Sequence, residues 1–418
     1  MTPISTTRRP HRQEAWSIKR NPLPTEAIAR DEDPYSDEAF SEEIEQVVDK
    51  VIVAGLTPRR QLAFVYSRNQ LGGEDTGFGK TKTMLRVRTA INEDLGRGVL
   101  ENQVDEDEVV PVGAAYASFN TNQRTGYYSV LASAVHDAAT AGDKPLLEHV
   151  YERIVADRGA DSESVRQAIV ESQNQLGVSL RKSTVDAFIT DGAAGVAADV
   201  AAASPTIKIR SGLAWLEFLL VVMHAAGIER LFLFIDQLED LATNKTQSRA
   251  KRYREIGRIR DLLEDEPTRS MLHTTFTMHD TAADLLQEFW TPHRLPSYAV
   301  RRANMGQIVL LEGLKDDCAA ADVLGAWLTT ARLDGFTGEA HEPFEMRAVR
   351  ALREFAEQRV GPFLVAASKV LDAAEADRLA SIDDTYVRAV LDDVASPLGT
   401  QGGAPADVIL PDDDDLLA

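Results

Sequence analysis

Six consecutive residues, Thr76-Gly77-Phe78-Gly79-Lys80-Thr81, have the types and spacing of a phosphate-binding loop. In such a loop backbone N–H groups and the start of the next helix surround phosphate oxygens, because both present partial positive charge. Gly77, Phe78 and Gly79 would supply the close backbone, and Lys80 would reach the β- and γ-phosphates of a nucleotide. The Thr81 hydroxyl would ligate Mg²⁺, a hard cation that takes oxygen donors. The full pattern G-x-x-x-x-G-K-[ST] is not complete, since its first glycine position falls on Glu74, behind Gly72 and Gly73.

A second element raises the weight of the first. Leu231-Phe-Leu-Phe-Ile-Asp236-Gln-Leu-Glu239-Asp240 is an apolar run that ends in a carboxylate. It reads as a buried strand delivering Asp236 to its C-terminal edge, where ligands sit in open parallel sheets. Asp236 would hold Mg²⁺ opposite Thr81, although a strand that ends in a helix-capping Asp is common. Hydrolysis also needs a group that orients or deprotonates water. Gln237 follows Asp236 and can orient water but cannot take its proton. Glu239 could serve if the strand end turns tightly; equally it could be a solvated first-turn acid favoured by the helix dipole. Further on, alternation places Thr275, Thr277 and His279 on one face of a strand. Thr277 or His279 is expected to sense the γ-phosphate.

Arginines could complete a site. Arg294, Arg301 and Arg302 precede a short apolar run and are candidates to reach a neighbouring subunit's phosphate. The basic stretch Lys251–Arg260 spaces Arg254 and Arg258 one turn apart, for a phosphate backbone or an acidic partner. An exposed helix, partly neutralised by Asp261, Glu264 and Asp265, explains that stretch better. His273 and His279 lie six apart with no cysteine nearby, so the 8 histidines give no metal-ligand cluster. No G-x-S-x-G elbow, paired-carboxylate pattern or internal repeat stands out.

These groups need elements to position them. Apolar runs at Gln61–Ser67, Val109–Phe119, Arg230–Ile235, Ser270–Met278 and Gln307–Leu311 predict five strands. Helical stripes lie between them, at Phe40–Leu56, Thr83–Ile91, Tyr127–Ala138, Leu146–Ala156 and Trp215–Ala226. Alternation of this kind predicts an α/β fold with a parallel sheet covered on both faces. The expected organisation is a flexible arm over 1–35, then a nucleotide-binding domain over 36–312 with a helical insertion at 157–210. A C-terminal helical lid over 313–395 and a disordered acidic tail over 396–418 follow.

The chain has 418 residues, 44% hydrophobic and 27% charged, with a net charge of −21. That composition suits a soluble globular protein and argues against a surface that coats nucleic acid generally. One cysteine, Cys318, excludes an internal disulfide framework. The N-terminus lacks an apolar stretch behind its basic residues, and Leu213–Ala226 is too short to span a bilayer. A cytoplasmic protein with no membrane association is expected.

With both motifs in place, residues 20–395 resemble an AAA+/STAND-type P-loop ATPase, in its origin-recognition and transposition-regulator branches. Phe234-Ile-Asp-Gln-Leu-Glu-Asp-Leu241 is similar to the acidic motif of STAND-like enzymes, and Leu311-Glu-Gly-Leu-Lys-Asp-Asp resembles the joint where that family's lid begins. The resemblance implies ATP and Mg²⁺ between sheet and lid, with Lys80, Thr81 and Asp236 in their usual roles. It implies an ATP-dependent switch or assembler, homo-oligomeric or working with a separate effector protein. DNA-related and anti-phage defence systems are the settings it suggests, with direct DNA contact open. Three departures stand out: Glu74, Gln237, and Phe363 where an ATP-contacting Arg often follows, with Arg359 close by. They favour binding, with slow hydrolysis, over a fast motor. A non-hydrolysing nucleotide-binding scaffold and a DNA-binding adaptor using Arg254 and Arg258 are the alternatives.

Overall fold

Five apolar runs become five hydrogen-bonded strands, all parallel: β1 (Leu62–Ser67), β2 (Val112–Ser118), β3 (Arg230–Asp236), β4 (Leu272–His279) and β5 (Ile308–Leu311). Their order across the sheet is β2-β3-β4-β1-β5. This computed structural model describes residues 11–27, 30, 32–57, 62–67, 77, 79–101, 103–105, 109–119, 126–243, 247–265, 270–279, 286–295 and 308–395. Before and between the strands lie α1 (His11–Ala15), α2 (Ser41–Val47), α3 (Lys80–Asp94), α4 (Arg97–Leu100), α5 (Tyr127–Thr140) and α6 (Leu146–Arg158). Next come α7 (Ser162–Leu176), α8 (Lys182–Ala202), α9 (Pro205–Ala225), α10 (Asp240–Thr243) and α11 (Arg249–Glu264). The C-terminal region is helical: α12 (Asp317–Thr329), α13 (Met346–Phe355), α14 (Val360–Asp377) and α15 (Asp384–Ala395). Among the described residues no helix is long and apolar enough to cross a membrane.

The strands are buried along most of their length because both sheet faces are covered, and β4 carries His273, Thr274, Thr275 and Thr277 among its buried residues. On one face Phe64, Tyr66, Leu233, Ile235 and Phe276 pack with α5 to α9 and α11. On the other, Ala63, Val65, Phe232, Phe234 and Val309 pack with α3 and with a π-helical turn, Val48–Val53, that continues α2. β2 lies at an edge of the sheet, and side chains cap its free side. Asn92 bonds both the N–H and the C=O of Ala114 at 2.9 Å, and Asp137 accepts from the N–H of Tyr116 at 2.8 Å. These bonds satisfy an edge that would otherwise be exposed and fix β2 in place beside β3.

Two sequence expectations need correction. The helical insertion expected to end at 210 does not end there. Ser204 caps a single helix, α9, that starts with Pro205 and runs through to Ala225, and Val165, Phe188 and Val196 join the core of the sheet. The flexible arm expected over 1–35 is packed over residues 11–27. Trp16, Ile18 and Leu23 are buried in the apolar core of the C-terminal helices, and the Trp16 indole donates to the Ala380 carbonyl at 3.1 Å. Three apolar residues spaced through a polar stretch form no periodic stripe, so only the tertiary contact reveals them.

Candidate nucleotide-binding site

Register brings the polar ends of four strands to one edge of the sheet. Ser67 of β1 stands beside His279 of β4, and Ser118 of β2 beside Asp236 of β3. α3 begins at Lys80, directly after Gly79, so its N-terminus opens onto this edge. The buried Lys80 ammonium donates to Ser67 Oγ at 2.5 Å and to His279 Nδ1 at 3.0 Å. With Nδ1 accepting, His279 carries its proton on Nε2, which contacts Glu239 Oε1 at 2.7 Å.

Asp236 is 2% exposed and each of its carboxylate oxygens takes two donors. Oδ1 accepts from the Gln237 N–H at 3.0 Å and from the Thr277 hydroxyl. Oδ2 accepts from Thr81 Oγ1 at 2.5 Å and from the Tyr116 hydroxyl at 2.9 Å. Burial first, and then the charge of Asp236, push the Tyr116 phenol well above its ordinary range, so it remains a donor. Gln237 adopts a left-handed backbone with φ of 62°. The chain then crosses onto β4 through a bond from the Leu238 N–H to the Thr277 carbonyl at 3.1 Å. The strand end therefore turns tightly, and Glu239 is buried at the cleft wall.

The cleft has a volume of about 480 Å³. Gly79, Lys80, Thr81, Asp236, Glu239 and His279 line one wall. The facing wall is mostly apolar, with Pro24, Phe40, Val323, Trp327, Val360 and Leu364. Gly77 joins the two walls: its carbonyl accepts from the Gly361 N–H at 3.2 Å. Its φ of +83° suits glycine, and an added Cβ would lie 2.9 Å from Pro362 Cδ. The arrangement offers a cation at the start of a helix for phosphate. It also offers a hydroxyl and a carboxylate for a hard metal, and a buried carboxylate positioned by histidine.

Among the described residues no group of three or more His, Cys, Asp and Glu side chains could hold a metal by itself. Mg²⁺ needs fewer, since it keeps waters and shares phosphate oxygens. Thr81 Oγ1 and Asp236 Oδ2, two hard oxygens 2.5 Å apart at the cleft, fit that ion.

The structure therefore brings Gly77, Gly79, Lys80, Thr81, Asp236, Gln237, Glu239 and His279 together at the cleft. Thr277 is fully buried behind it and reaches only Asp236 and the Gln237 N–H. His279 is thus the one of the two sensor candidates that faces the cleft. Arg258 points elsewhere: it pairs with Glu255 at 2.9 Å and lies over the Tyr128 ring at 4.6 Å. Arg254 is exposed on the same helix, and Arg294 is exposed at a turn; neither lines the cleft. Phe78, Arg301, Arg302, Glu74 and the tail 396–418 lie outside the described residues. Sequence reasoning missed Ser67, Tyr116 and Ser118. Ser67 is a polar residue ending an apolar run, and Tyr116 and Ser118 alternate at the end of β2; those were the available signals.

No protein-family profile and no curated protein matches the chain. Solved structures similar to it include the Aeropyrum pernix ORC2 protein in ADPNP–ADP complexes, with 12% identity and a TM-score of 0.48 over 88% of this chain and 70% of that one. The Aeropyrum pernix ORC1 protein in complex with DNA shows 12% identity and a TM-score of 0.43, over 90% of this chain and 69% of that one. Cdc6p from Pyrobaculum aerophilum shows 12% identity and a TM-score of 0.38, over 90% and 70%. The likeness is loose, and the chemistry of the site rests on its own geometry.

Proposed function

We propose that the chain binds ATP with Mg²⁺ in this cleft, hydrolyses it slowly, and acts as a nucleotide-dependent switch in a larger assembly. The observation that carries this reading is the convergence of Lys80, Thr81, Asp236 and Glu239, from two distant parts of the sequence, on one cleft beside a helix N-terminus. Lys80 would exchange Ser67 and His279 for phosphate oxygens. Mg²⁺, held by Thr81 and Asp236, would supply positive charge to the phosphates. Glu239, kept in place by His279 Nε2–H, would take a proton from the attacking water as it forms its bond to the γ-phosphorus. The bond from the γ-phosphorus to the β–γ bridging oxygen breaks, giving ADP and phosphate.

Gln237 argues for slow turnover. It occupies the position after Asp236, where a second acid would be the obvious base, and its Oε1 accepts from Ser118 Oγ at 3.2 Å. The same observation favours a second reading, a nucleotide-binding scaffold that does not hydrolyse. Glu239→Gln separates the two. In the switch reading the variant retains ATP binding and loses turnover by about 100-fold, the typical contribution of a general base. Wild type that binds ATP without releasing phosphate would establish the scaffold instead. A homo-oligomer or a separate effector protein as partner, and a role in DNA-related or defence systems, remain proposals by resemblance.

A further inference from the structure

A carboxylate has about four lone-pair positions, and in Asp236 all four are engaged by the protein itself. A cation that binds Asp236, directly or through water, must displace one of these donors. The Gln237 N–H is backbone, fixed by the turn onto β4. Thr277 is fully buried in β4, and its hydroxyl oxygen also accepts from the Gln237 N–H at 3.2 Å. Thr81 can stay, because its own oxygen is a ligand for the same cation. That leaves Tyr116, whose backbone is held by Asp137 while its side chain stands on the cleft wall. Ser118, two residues along the same strand and so on the same side of it, lines the cleft with Tyr116, and its hydroxyl oxygen has room to accept while its proton goes to the Phe119 carbonyl or Gln237 Oε1.

We propose that Tyr116 is a gate on the metal position: its hydroxyl occupies Asp236 Oδ2 until Mg²⁺ arrives with nucleotide, then passes to Ser118. The inference rests on reading the cleft as a site for ATP and Mg²⁺. Tyr116 would then set the Mg²⁺ concentration at which the protein holds nucleotide, with no part in the chemical step. A site whose acid is already satisfied by a neighbour loads only when metal is plentiful.

The test is a Mg²⁺ titration of ATP binding by wild type and by Tyr116→Phe, followed by calorimetry. A parallel titration with Mn²⁺ counts bound metal by electron paramagnetic resonance. Removing one hydrogen bond to a charged acceptor should lower the half-saturating Mg²⁺ concentration by about 10-fold. Ser118→Ala should move it the other way, because the phenol loses its alternative partner. A Tyr116→Phe midpoint equal to or above that of wild type, with ATP still bound, overturns the gate and leaves the ATP reading intact. Wild type that binds neither ATP nor Mn²⁺ overturns both. Thermal unfolding of each variant shows whether it is folded, and if Tyr116→Phe is not, the Ser118→Ala shift decides alone.

Discussion

On the sheet wall of the cleft, polar groups hold one another: Lys80 is bound to Ser67 and His279, His279 to Glu239, and Asp236 to Thr81, Tyr116 and Thr277. On the facing wall the lining is mostly apolar, with Glu26, Asp33 and Ser36 among it, and much of it belongs to a separate core formed by α12 to α15 together with Trp16, Ile18, Leu23 and Phe40. A few bonds tie that wall to Gly77 and to α3. The Gly361 N–H reaches the Gly77 carbonyl at 3.2 Å, Lys82 the Arg30 carbonyl at 2.8 Å, Tyr35 shares a bond with Thr83 at 3.2 Å, and Arg86 holds both oxygens of the exposed Asp37 at 2.8 Å. The contrast shows where adjustment is cheap. Moving a group on the sheet wall breaks charge-assisted bonds among buried partners. Moving the facing wall mostly slides apolar surface and alters a handful of links. Nucleotide would therefore be sensed by bond exchange on one side and reported by displacement on the other.

The largest expected effect tests whether residues 11–27 truly belong to the apolar wall. Trp16→Ala removes a buried side chain and its bond to Ala380, which should cost about 3 kcal/mol in chemical denaturation. A free arm would give no change. A smaller effect is expected at the joint between the walls. Gly77→Ala places a side chain in a left-handed conformation and against Pro362, at about 1 kcal/mol. Its signature should be ATP affinity about 10-fold lower, with the sheet's own stability little altered. Equal loss of both would mean that the walls are one rigid body.

The smallest effect is a pH dependence remote from the cleft. Burial, and secondarily Asp265, push Glu217 on α9 up from 4.5 to about 7. Between those values the folded chain holds a proton that the unfolded chain has released. The contribution to stability is complete below pH 4.5 and disappears as pH rises through about 7. Glu217→Gln should flatten that part of the unfolding curve and leave ATP binding unchanged.

Much of the sheet wall is legible in the sequence. β3 is an apolar run that stops at its first carboxylate, so Asp236 is marked as a strand end, and the glycines before Lys80 and Thr81 mark the start of α3. Glu239 was half legible, because its place at the cleft depends on a turn made through the left-handed Gln237. Tyr116 was not, because in a run of apolar residues a tyrosine reads as core. Its place beside Asp236 comes from β2 lying beside β3, which spacing along the chain does not encode. The facing wall was least legible. Trp16 meets Ala380 across a sequence separation of 364 residues, and no local pattern anticipates such a contact.

The most direct test of the ATP site is calorimetric titration of ATP with Mg²⁺ into wild type and Lys80→Ala. In the proposed site Lys80 would provide the buried cation for phosphate, so the variant should bind about 100-fold more weakly. Equal affinity in the two proteins would contradict the placement of phosphate at Lys80, and with it the nucleotide-binding role of the cleft.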